Sequence, residues 1–210
     1  MFEETFLLAF EVIGTFAAAV SGVRLAATKH FDWFGAYVVG LVTDIGGGTL
    51  RDLFLGIPIF WMVRGWYLGV TFIALLLVIL FRKFLVRRDR MLLVFDTIGL
   101  AFFCVVGIQK SLAAGYDMWI AAVMGTITGA FGGVLRDILI NDEPLVFRQD
   151  IYATACMAGC FAYWGGMLIG IEPVWQQVIC AVTIILLRTL ALRYKWQMPK
   201  LRSDSEETGI

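Results

Sequence analysis

The chain has 210 residues, 60% hydrophobic and 16% charged, with 17 lysines and arginines against 17 acids. A mean hydropathy of +0.83 lies beyond the balance of a soluble globular domain, and the neutral total supplies no broad basic field to recruit nucleic acid. Water is therefore excluded as the solvent of most of the surface.

A spanning helix needs about 20 mostly apolar residues. Apolar runs between polar punctuation predict seven spans: 5–27, 33–57, 66–81, 91–113, 118–140, 151–171 and 174–192. The first lacks the basic leader of a cleavable signal and holds Glu11, so it reads as a retained helix. The second carries Asp44, Gly46, Gly47 and Gly48, then Arg51 and Asp52, and the third runs into Arg82, Lys83, Arg87, Arg88 and Arg90. Asp96 lies inside the fourth, with Gln109 and Lys110 expected at its outer mouth or surface. The fifth carries Gly125, Gly129, Gly132 and Gly133, followed by Arg136 and Asp137. Cys156 and Cys160 lie in the sixth; together with Cys104 and Cys180 they read as buried, inert thiols. Arg188, near the end of the seventh, is expected to snorkel to the headgroups. The polar tail 196–210 reads as disordered.

Lysine and arginine set the orientation. The connection after the third span and the tail, with Arg193, Lys195, Lys200 and Arg202, are basic, as are Lys29 and Arg148 on the same face; the opposite face has Arg64 and Lys110. This predicts an outside N-terminus and a cytoplasmic C-terminus. Trp33, Trp61, Trp66, Tyr67, Tyr116, Trp119, Trp175, Tyr194 and Trp196 read as interfacial belts.

The segment Gly47-Gly48-Thr49-Leu50-Arg51-Asp52 recurs as Gly132-Gly133-Val134-Leu135-Arg136-Asp137 at an offset of 85 residues, and Glu11 falls on Asp96 at the same offset. Three crossings per copy make the second copy enter the membrane from the other side, so the repeats are expected to be inverted. The resulting organisation is a first three-helix repeat (1–86), a second (87–172), a seventh transmembrane helix (173–195) and a cytoplasmic tail (196–210). The predicted fold class is all-α integral membrane.

Consecutive glycines weaken a helix by about 1 kcal/mol each, and a charge near mid-span costs about 2.5–3.5 kcal/mol. Both occur twice at matching positions, which predicts broken helices lining a wet path. Arg51 and Asp52, like Arg136 and Asp137, are neighbours expected to point apart on a helix, so each arginine is expected to meet a distant acid, Glu11 or Asp96, around one pathway. The competing readings are close packing for the glycines and structural clamps for the charges. The sequence shows no nucleotide loop, zinc-protease motif, serine elbow or His/Cys cluster at metal spacing. It therefore predicts no enzyme, cofactor or metal, and leaves passive or ion-coupled movement of a solute.

Gly-Gly-Gly-Thr-Leu-Arg-Asp at 46–52 and its echo at 132–137, each on the middle helix of a three-helix half, resemble the bacterial branch of the trimeric intracellular cation (TRIC) channel family, also called the glycine transporter domain. The resemblance implies a homotrimer in the inner or cytoplasmic membrane, in contact with lipid. It further implies one pore per subunit, lined by glycine-kinked second and fifth helices and passing monovalent cations with potassium favoured. Gly46, Gly47, Gly48, Arg51 and Asp52, with Gly132, Gly133, Arg136 and Asp137, are the residues it implicates. Phe131 stands where the first copy has Gly46. A carrier of a small zwitterion such as glycine, and a scaffold without transport, are the alternative readings.

Overall fold

The computed structural model describes residues 2–86, 89–148 and 151–198, with the side chains of residues 2–4, 89 and 90 left out. Lys200 and Arg202, the charges of residues 87–90 and the tail beyond 198 thus fall outside what is described. Among the described residues the structure is all helical: α1 (Phe2–Thr28), α2 (Trp33–Leu55), α3 (Phe60–Val63), α4 (Trp66–Leu80), α5 (Arg82–Leu85), α6 (Asp89–Ala113), α7 (Met118–Leu139), α8 (Ala153–Leu168) and α9 (Pro173–Tyr194). Four stretches of the described residues are long and apolar enough to cross a membrane: Thr5–Thr28, Met91–Ala113, Met118–Leu139 and Pro173–Tyr194. Charge and glycine in α2, and the shortness of α4 and α8, keep those helices below that standard.

The helix ends are set by local chemistry. Asp32 caps α2 by accepting from the Gly35 N–H at 2.6 Å, satisfying a backbone donor that the helix leaves free. Gly56 ends α2 in the left-handed region (φ 66°), and Asn141, 85 positions on, does the same after α7 (φ 58°). Glycine and asparagine tolerate that conformation best. The backbone bonds of these turns also correspond, Ile57 N–H to Asp52 O and Asp142 N–H to Asp137 O.

Small residues let the central helices approach closely. Gly14 of α1 lies against Phe103 of α6, and Gly99 of α6 lies against Ala18 of α1. A Cβ on Gly47 of α2 would run into the Thr128 carbonyl oxygen of α7, and a Cβ on Gly132 of α7 into the Thr43 carbonyl oxygen of α2. Each contact is returned at the offset of 85. The expected breaks are absent: α2 is helical from Trp33 to Leu55 and α7 from Met118 to Leu139. Here the glycines remove side chains between two backbones, so the helices need not unwind.

One apolar cluster joins Ala19, Val20, Val23, Val39, Ala74 and Val78 of α1, α2 and α4. A second joins Leu100, Cys104, Ala121, Cys156 and Ile184 of α6–α9. Phe34, Leu53, Leu80, Trp119, Phe161, Leu168 and Leu186 are exposed, as suits a surface solvated by hydrocarbon rather than water. Contacts between helix ends and their connections define two poles of the bundle. Lys29 after α1 pairs with Asp142 after α7 at 2.7 Å, and Arg24 Nε donates to the Leu85 carbonyl at 2.6 Å. At the other pole the Tyr116 hydroxyl donates to the Leu55 carbonyl at 3.3 Å.

Candidate functional site

Two clusters of buried charge lie at the ends of α2 and α7. In both, the motif arginine turns back onto its own neighbour: Arg51 Nε donates to Asp52 Oδ1 at 2.8 Å and Arg136 Nε to Asp137 Oδ1 at 2.8 Å. The expectation that these neighbours point apart is wrong. Helical spacing separates the Cβ atoms, but the long arginine side chain spans the gap. Each aspartate then uses its second oxygen to tie down the chain beyond the helix, accepting from Phe60 N–H at 2.9 Å and Leu145 N–H at 3.1 Å.

The α7 cluster also contains the expected distant acid. Arg136 Nη1 reaches Asp96 Oδ1 at 2.6 Å and donates to Ser21 Oγ at 2.7 Å. Arg188 does not snorkel. It is 0% exposed, its Nη2 lies 3.8 Å from Asp96 Oδ2, its Nη1 donates to the Ile151 carbonyl at 3.0 Å, and its guanidinium lies over the Tyr152 ring. A buried acid and an aromatic face hold it in the bundle more strongly than headgroups draw it out. Two arginines and two aspartates thus neutralise one another.

The α2 cluster is organised differently. Arg51 does not meet Glu11. The Phe60 ring sits beside Gly48, 5.5 Å from the Arg51 guanidinium carbon and 5.0 Å from Lys110 Nζ. Glu11 instead pairs with Lys110 at 2.8 Å and accepts from the Tyr67 hydroxyl at 2.9 Å. Lys110, expected at the outer mouth or surface of its span, therefore also has a partner within the bundle. Tyr67, assigned from sequence to an interfacial belt, is 1% exposed. Arg51 Nη2 lies 2.7 Å from Asp52 Oδ1 but lacks hydrogen-bond alignment.

Beside this cluster Glu11, Asp44, Gly48, Arg51, Phe60, Tyr67, Phe103, Val106, Lys110 and Thr128 enclose a cavity. It leaves about 10 Å³ for water centres, room for about one water. Glu11, Phe60, Tyr67 and Lys110 also border a wider vestibule of about 620 Å³, with Thr5, Asp52, Pro58 and Arg64 on its walls. The two hollows share Glu11, Phe60, Tyr67 and Lys110 on their walls, and Asp44 lines the inner one.

The glycines fall into distinct places. Gly48 faces the Phe60 ring, and Gly133 faces the Tyr152 hydroxyl. Gly46 packs on Leu135, and Gly129 on the Leu100 carbonyl. The four cysteines are buried and free, with Cys104 Sγ 3.6 Å from Cys160 Sγ. Sequence reasoning missed Tyr67, Thr71, Thr15, Phe60 and Ser21. One usable signal was the pairing of Tyr67 with Tyr152 at the repeat offset.

A family model described as Glycine transporter matches residues 8–83 and again 93–167. The chain is 37% identical over 203 residues to a UPF0126 membrane protein of Vibrio cholerae serotype O1, covering 94% of this chain and 83% of that protein. The chain belongs to the glycine transporter, or UPF0126, family. This UPF0126 protein is also 36% identical over 201 residues to the UPF0126 inner membrane protein YadS of Escherichia coli K12, covering 92% of this chain and 95% of that one. Among solved structures it is similar to the TRIC trimeric intracellular cation channel orthologue from Rhodobacter sphaeroides, with a TM-score of 0.87 and 32% identity over 91% of this chain and 100% of that chain. With its apolar helices and membrane relatives, this UPF0126 protein is a multi-pass membrane protein.

Proposed function

We propose that this UPF0126 protein is a homotrimeric channel for monovalent cations, with potassium favoured and one pore in each subunit. The observation that carries the reading is the charged recess formed by the vestibule and the inner cavity lined by Asp44. Such a recess is costly in lipid and is characteristic of a solute path. Likeness to the Rhodobacter TRIC orthologue supports the same reading.

In this reading α1, α2, α4, α6, α7, α8 and α9 are seven spans, and the first six form two inverted three-helix repeats. The contact of Gly14 with Phe103, returned by Gly99 with Ala18, and that of Gly47 with Thr128, returned by Gly132 with Thr43, are what a two-fold relation produces. The N-terminus lies outside and the C-terminus in the cytoplasm. Lys29, Asp142, Arg24 and Leu85 then share the inner pole, and the vestibule with Arg64 opens outward. The pore runs past Asp44, Gly48 and Arg51 of α2 and Thr128 of α7, with the central glycines holding the two helices together.

Purified protein in planar bilayers is expected to give ohmic single-channel steps in potassium chloride. Saturable glycine uptake into proteoliposomes without such steps would transfer the case to a carrier, for which the flanking Glu11–Lys110 pair offers complementary charge to a zwitterion. Absence of both fluxes would leave a scaffold.

A further inference from the structure

The charges around the inner cavity do not balance. Glu11 is matched by Lys110 and Asp52 by Arg51. Asp44 is buried and has no basic partner among the described residues. Its Oδ2 accepts from the Thr71 hydroxyl at 3.0 Å. Thr15 stands close enough for its hydroxyl to act on the same carboxylate, yet neither Thr15 Oγ1 nor Asp44 Oδ1 completes a hydrogen bond of good geometry. Asp44 lines the cavity together with Thr128, and Thr15 and Thr71 are fully buried beyond that lining. An ionised carboxylate in such surroundings requires a compensating positive charge.

The second half supplies an internal comparison. At the offset of 85, Asp44, Thr15 and Thr71 correspond to Gly129, Leu100 and Cys156. All three polar groups are replaced together, although the Arg-Asp motif, the distant acid and the tyrosine are kept. The three oxygen-bearing side chains therefore form a unit separate from the repeated framework. The α7 cluster closes on itself through Arg188, whereas the α2 cluster holds one carboxylate, that of Asp44, with no basic partner among the described residues.

We propose that Asp44, with the hydroxyls of Thr15 and Thr71, is a binding site for a single, largely dehydrated alkali cation. The proposal rests on the channel reading and assigns it the point where the ion sheds water. Carboxylate and hydroxyl oxygens are hard ligands suited to such an ion. One unmatched negative charge balances a monovalent cation, and a divalent ion would leave an excess that no second carboxylate is free to meet. Glu11 and Asp52 remain committed to their own partners. Phe60 lines both the vestibule and the inner cavity.

The test is thermal unfolding of the purified full chain in detergent, titrated with potassium chloride against N-methylglucamine chloride at constant ionic strength. The native midpoint is expected to rise with potassium, and Asp44→Asn to weaken the apparent affinity at least ~tenfold, because only the native state offers the site. No potassium effect in the native chain, as when a proton occupies Asp44, overturns the proposal, and so does equal affinity in the variant. Should Asp44→Asn not fold, Thr71→Val and Thr15→Val replace it; weakened potassium affinity in either supports the site and unchanged affinity in both overturns it. Bilayer recordings separate this inference from the function it rests on. A native protein that binds potassium but passes no current retains the site and loses the channel. Native current with unaltered binding and selectivity in Asp44→Asn retains the channel and loses the site.

Discussion

Gly47 and Gly132 each face a carbonyl oxygen of the opposing helix, and backbone cannot move aside as a side chain can. Gly47→Ala and Gly132→Ala are therefore expected to lower the thermal unfolding midpoint, at a cost of about 1–3 kcal/mol as for other overpacked contacts. Flux and folded yield should fall together. Gly69→Ala provides the contrast: a Cβ there meets open space on α4, so stability should hold or rise by about 0.4–1 kcal/mol. Unequal behaviour of Gly47 and Gly132, or tolerance of both, would contradict the packing account. At this scale the acids were legible because Glu11, Asp44 and Asp96 stand out in apolar runs. Tyr67 and Thr71 were not: a tyrosine at the start of a span looks interfacial and a threonine looks neutral. Their position one turn apart on the buried face of α4 becomes informative only once Glu11 and Asp44 are known to lie opposite.

Among the helices that contribute to the clusters, α9 is the least expected. It stands outside the repeat, yet its Arg188 enters the charge network of Asp96 and Arg136. Removing one member of such a buried network leaves a charge uncompensated, at a cost of about 3–5 kcal/mol. Arg188→Ala is accordingly expected to depress the unfolding midpoint strongly. Arg193→Ala, at an exposed position on the same helix, should change stability by no more than about 0.5 kcal/mol. Similar midpoints for the two variants would refute a structural role for the α9 arginine. The long helices were legible from apolar run length, whereas the end of α2 was not, since the predicted span 33–57 runs past Gly56, where the chain turns left-handed. The four-residue α3 and α5 were not, since one turn is too short to show a helical period. Arg188 was misread because its sequence position near a helix end favours snorkelling, while its partner is 92 positions away in sequence.

Across the whole molecule, the two halves are joined by returned contacts between α1 and α6 and between α2 and α7, and by the Lys29–Asp142 pair. Polypeptides 1–86 and 87–210, expressed together, are therefore expected to co-purify as a folded complex, while either alone should be degraded or aggregate. Recovery of a stable 1–86 fragment by itself would show that the halves fold independently. The duplication was legible because the motif recurs with its glycines, arginine and aspartate in register. The difference between the halves was not, because it lies in how side chains from separate helices converge: Phe60 between Arg51 and Lys110 on one side, Tyr152 beneath Arg188 on the other.

The mutual seating of Gly47 on Thr128 and Gly132 on Thr43 has a consequence for how the protein is made. When Gly47 of α2 leaves the ribosome, the surface that receives its bare backbone has not yet been synthesised, and more than eighty residues must follow before Gly132 emerges. During that interval the notch on α2 can be filled only by lipid chains or by the insertion machinery. The final docking of α2 must therefore be a late event in biogenesis, following the birth of α7.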